Sequence, residues 1–141
     1  MNNITWLYGK KLENLDILLS LEKKYNFSFP SEYKDIVLLN DGATPIPQNF
    51  TVAGEEKVFN YLAKVADIET IFANICREYN SKQILVPFAD DPAGNLICFD
   101  YTEDKTIPHV TFLNTDDGEI IEIAKTFNDF LQILVYTIVC F

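Results

Sequence analysis

His109 is the only histidine of the 141-residue chain, and it stands beside Pro108 where an apolar run begins. Any Cys–His or Ser–His nucleophilic pair would have to use it, yet no nucleophile elbow or other local signature accompanies it. A surface or strand-end histidine is the favoured reading. Two carboxylate pairs, Asp90-Asp91 and Asp116-Asp117, offer hard oxygens to a cation. They sit in Asp-Asp-Pro and Asp-Asp-Gly turn sequences, without the order of acids that an EF-hand loop requires. A hydrolase built on two of these acids would need a pocket that raises one pKa, and loop-tip carboxylates are solvated. Cys76, Cys98 and Cys140 are too far apart for CxxC chemistry or zinc-ligand spacing. With Ile75, Ile97 and Val139 beside them, they read as reduced core residues of a cytoplasmic protein. The glycines are isolated, so no phosphate-binding loop is present. The expectation is a chain that is not an enzyme, with no metal and no cofactor.

Charge gives the stronger signal. Eleven basic against twenty-one acidic residues leave a formal net charge of −10, which disfavours direct nucleic-acid or anionic-membrane binding and favours cationic partners. The excess is concentrated between residues 88 and 129, where Asp90, Asp91, Asp100, Glu103, Asp104, Asp116, Asp117, Glu119, Glu122 and Asp129 face only Lys105 and Lys125. Most of these acids fall in chain reversals and should gather at the loop ends of a sheet as a negative rim. Turn chemistry and solubility also favour such residues there.

The elements that must position them follow from periodicity. Leu12, Leu15, Leu18, Leu19 and Tyr25 have the spacing of one helical face, and Pro30 opens a second helix carrying Tyr33, Ile36 and Val37. Asn40-Asp41-Gly42 stops it, and Pro45 and Pro47 forbid regular structure as far as Phe50. Residues 57–65 alternate, predicting one strand that buries Phe59, Tyr61, Ala63 and Val65. A middle helix over 68–79 presents Ile68, Ile71, Phe72, Ile75, Cys76 and Tyr79. Strands at 84–88, 96–101, 109–113 and 119–123 are joined by short turns, so they run antiparallel. Thr126 caps a last helix with Phe127, Phe130, Leu131, Leu134 and Ile138 inward. Trp6 and Phe88 read as core rings. The fold class is α+β, a twisted and mainly antiparallel sheet with N-terminal, middle and C-terminal helices packed on it, in one domain over residues 1–141. The start shows no secretory signal. The apolar tail 133–141 is too short to span a membrane, which makes it a buried helix end or a homodimer surface.

Several segments together resemble the SUKH superfamily, which includes the fungal Smi/Knr cell-wall regulators. They are Phe29-Pro-Ser-Glu-Tyr-Lys34, Leu39-Asn-Asp-Gly-Ala-Thr-Pro45, Val86-Pro-Phe-Ala-Asp90, Gly94-Asn95, Cys98-Phe-Asp100, Val110-Thr-Phe112 and Ile123 to Leu131 with Phe127, along with Trp6 near the start. The resemblance implies an α+β domain without enzymatic activity. It also implies structural roles for Pro30, Gly42, Pro87 and Gly94 in shaping turns. Stand-alone bacterial members act mostly as immunity proteins (antitoxins) that bind and neutralise secreted polymorphic toxins, frequently nucleases. On that basis the expected function is to cover the active site of a cationic toxin domain, with Asp90, Asp91, Asp100, Glu103, Asp104, Asp116, Asp117 and Glu119 mimicking phosphate. The alternative is a regulatory protein-interaction module of the Smi/Knr type with a cellular partner.

Overall fold

A computed structural model describes residues 3–79 and 82–136. The chain opens with β1 (Thr5–Leu7), then α1 (Asp16–Tyr25), α2 (Ser31–Asn40) and β2 (Thr44–Ile46), which pairs antiparallel with β1. A hairpin follows, β3 (Asn49–Val52) with β4 (Glu55–Val58). The main sheet comprises β5 (Tyr61–Leu62), β6 (Leu85–Asp90), β7 (Leu96–Asp100), β8 (His109–Leu113) and β9 (Ile120–Ala124), antiparallel throughout in that spatial order. Helix α3 (Ile68–Tyr79) lies between β5 and β6 in sequence, and α4 (Phe127–Ile133) closes the described chain. The architecture is the expected α+β one. No helix among the described residues is long and apolar enough to cross a membrane.

Phenylalanine density explains the main core. One face of the sheet contributes Val86, Phe88, Ile97, Phe99, Val110 and Phe112, and packs against Leu18 and Leu21 of α1, Tyr33 and Val37 of α2, and Phe127 and Phe130 of α4. Phe88 stacks on Phe99 with ring centroids 4.2 Å apart, and Phe127 meets both edge-on at 5.6 Å. Each such pair adds about 0.5–1.5 kcal/mol beyond the area it buries. Trp6 is partly buried and packs edge-to-face on Phe59 at 5.9 Å, the core role expected of it. Thr126 caps α4 as expected, its Oγ1 accepting the Asp129 N–H at 3.1 Å.

Several expectations are corrected. Residues 57–65 do not form one strand: β4 ends at Val58 and β5 holds two residues. The residues buried there are Phe59, Leu62 and Val65, a spacing of three, while Tyr61 is 46% exposed. The irregular backbone around Asn60 resets which side chains point inward, so the alternation of residue types misleads. The Pro45 region is not wholly irregular either, because Pro45 sits in β2 of a two-stranded ribbon, where a missing N–H costs little. Pro87 shapes no turn. It lies within β6 beside the register shift between Pro87 and Ala89, an irregularity that accommodates a residue without an N–H. Gly42 and Gly94 do adopt positive φ, 75° and 88°, as their turns require. Leu19 is exposed rather than inward, and so is Cys76, at the edge of the α3 stripe; Cys98 is fully buried. Ile138, Cys140 and the end of the apolar tail lie outside the described residues.

Candidate partner-binding face

The sheet has a second face, and it is only half covered. Ile75 of α3 packs on Leu85, Cys98 and Leu113, with Ile71, Tyr79, Leu96 and Ile120 around them. Side chains alternate along strands, so the same face continues through Asp100 next to Cys98, Thr111 and His109 next to Leu113, and Glu122 next to Ile120. There the apolar cover ends. The residues Gln83, Asp100, Thr102, Glu103, His109, Thr111, Ile120 and Glu122 enclose a cleft of about 410 Å³.

Strand pairing sets its geometry. Asp100 lies opposite His109 across β7 and β8, and Thr111 lies opposite Glu122 across β8 and β9. The His109 Nδ1 pairs with Glu122 Oε1 along the diagonal between these rows. Asp100 is held on both sides: its Oδ1 accepts the Thr102 N–H at 2.9 Å, and its Oδ2 accepts from Gln83 Nε2 at 2.9 Å. Thr111 is 2% exposed, and its hydroxyl has no hydrogen-bond partner. Such an orphan is uncommon in native interiors.

The predicted rim is not one patch. In an antiparallel meander successive hairpins turn at opposite ends of the sheet. Asp90 and Asp91 (β6–β7) therefore share one end with Asp116, Asp117 and Glu119 (β8–β9), while Glu103 and Asp104 (β7–β8) join Asp100 at the other. Strands of five residues separate the two groups by about 17 Å. Asp91 is not on a rim at all. It is 5% exposed and folded into its own turn, with Oδ1 accepting the N–H groups of Ala93 at 3.0 Å and Asn95 at 2.8 Å, and Oδ2 accepting from Asn95 Nδ2 at 3.0 Å. Asp104 also serves its loop, since hydrogen bonds from Thr106 and Ile107 hold its carboxyl below the ordinary value. Asp116, Asp117 and Glu119 are exposed. His109, the strand-end histidine, and Glu122, counted among the acids of 88–129 but not among the expected partner-binding residues, belong to the cleft; the cross-strand register that joins them is invisible in a linear reading.

No group of three or more His, Cys, Asp or Glu side chains among the described residues is arranged to hold a metal ion. A second cleft of about 400 Å³ lies beside β5, lined by Tyr61, Ala63, Ile71, Pro87, Asp90 and Leu96 among others. Burial pushes the Asp90 carboxyl above its ordinary value there, against the Tyr61 N–H that it accepts at 3.2 Å.

No curated protein sequence matches the chain. A family model described as SMI1 / KNR4 (SUKH-1) matches residues 14–133, the stretch from just before α1 to the end of α4. On that match, the chain belongs to the SMI1/KNR4 family, SUKH-1.

Proposed function

We propose that this protein is an immunity protein that binds a cationic toxin domain, a nuclease, and neutralises it by covering its active site. The observation that carries the reading is the uncovered half of the second sheet face, where Asp100 and Glu122 on paired strands and Glu103 in the β7–β8 connection line a cleft. A nuclease attracts phosphate and so presents a basic cleft, which a preformed anionic surface complements. SUKH-1 membership supports the reading, since such domains commonly serve as immunity proteins. The net charge of −10 speeds encounter with a basic partner and disfavours direct contact with nucleic acid. The cytoplasm is the compartment in which such a protein would meet a toxin before it harms the cell.

The test is co-expression with the protein encoded next to this one. The neighbour alone should arrest growth, the pair should grow, and the two chains should co-purify. Growth arrest that persists beside a well-folded chain would overturn the proposal. Capture of a housekeeping protein instead would support a regulatory module of the Smi/Knr type.

A further inference from the structure

We propose that the cleft between Asp100, His109, Thr111 and Glu122 is a receptor for one arginine side chain of the protein partner, an inference that rests on reading this face as the docking surface. The starting point is Thr111. Its hydroxyl is buried, unpartnered and part of the cleft wall. A polar atom in that condition costs the free protein stability, and the cost is removed when a ligand supplies the missing hydrogen bond. Around it the surfaces that meet a ligand are mainly acceptors: Glu122 directly opposite, Asp100 beyond His109, and Glu103 among the lining residues.

That donor-seeking arrangement selects the ligand. A guanidinium carries five N–H donors in one plane, has no acceptor, and is weakly hydrated. It can engage a carboxylate with two donors while a third reaches the Thr111 hydroxyl. An ammonium is a compact, strongly hydrated point charge without the planar fork that lets one group meet a carboxylate and the Thr111 hydroxyl together. Anions are excluded by the three carboxylates. The held carboxylate of Asp100, with Gln83 and Thr102 on its two oxygens, needs no rearrangement before binding. His109 shares Glu122, so an entering guanidinium competes with the imidazole for that carboxylate.

The experiment titrates the full chain with the peptide acetyl-Gly-Arg-Gly-amide, and with its lysine and citrulline counterparts, following amide chemical shifts. The arginine peptide should shift residues 109–111 and 120–122, bind in the millimolar range, and exceed the lysine peptide by about tenfold. Citrulline, lacking charge, should not bind. Thr111→Val should weaken the arginine peptide several-fold while the melting temperature of the free protein stays level or rises. Glu122→Gln, which keeps the shape, should weaken it as well. Equal binding of arginine and lysine peptides would overturn the inference, as would shifts centred on Asp116 and Asp117 or a Thr111→Val protein that binds undiminished. Growth rescue by the wild-type chain, set beside its arginine-peptide binding, separates the two proposals. Rescue intact with arginine binding absent from the wild-type chain removes this inference alone, whereas arginine binding intact with no rescue by the wild-type chain removes the immunity reading alone.

Discussion

Asn95 Oδ1 accepts the backbone N–H of Thr115 at 3.0 Å, so the turn that carries Asp90 and Asp91 is bonded to the turn that carries Asp116 and Asp117. Asn95 is 8% exposed and uses its other polar groups on Asp91, donating from N–H and from Nδ2. One side chain thus locks two neighbouring hairpins at the sheet end remote from the acidic cleft. The acids of this end are partly structural, and charge reversal there mixes folding with binding.

Asn95→Ala should therefore be costly. It leaves the Thr115 N–H and one oxygen of the buried Asp91 without their partner, for an expected loss of about 2–3 kcal/mol. Urea denaturation measures it, and a loss below about 0.5 kcal/mol would show that water or a shifted turn replaces the amide.

Tyr33 offers the opposite case. It is fully buried among Phe29, Phe88, Phe99 and Phe127, and its hydroxyl has no partner. Burial pushes that hydroxyl's pKa upward, with the Asp41 charge adding to it. Tyr33→Phe keeps the ring and removes the orphaned group, so stability should hold or rise by up to about 1 kcal/mol. Tyr33→Ala should lose about 4 kcal/mol through the cavity it leaves. Thermal melts of the two variants check both.

Asp90 gives a pH dependence with a definite sign. Because burial raises its pKa above the ordinary 3.8, the folded protein holds that proton more tightly than the unfolded chain. Its contribution is most favourable below pH 3.8 and is lost as pH rises through the raised folded value. Asp90→Asn removes the penalised charge, so the variant should be more stable than the parent at pH 7. The difference should vanish near pH 3, and a gain that instead grows on acidification would contradict this account.

The thiols should separate by reactivity. Cys76 is exposed, whereas Cys98 lies fully buried under α3, and burial pushes its thiol pKa up. In a Cys140→Ser background one thiol per chain should react promptly with a disulfide reagent, and the second only on unfolding. Prompt reaction of both would mean that α3 lifts readily from the sheet.

How much of this was legible in one dimension depends on the range of the interaction. The α3 stripe, the hairpins at 84–101 and 109–123, the Thr126 cap and the positive-φ glycines are dictated by residues within one or two turns of each other, and local sterics and periodicity suffice to read them. The alternation of 57–65 misleads because burial there is set by where the chain docks against β6 and the Asp41–Ala43 stretch after α2 rather than by its own pattern. Family membership was legible because short motifs recur in order along the chain. The candidate site was legible only in part. Composition placed negative charge between residues 88 and 129, but the alternation of hairpins split it between two ends, and the Asp91 turn absorbed one carboxylate altogether. Only the tertiary structure brought His109, Thr111 and Glu122 beside Asp100, because register between strands is a long-range choice, and only the extent of α3 decided which half of that face stays open.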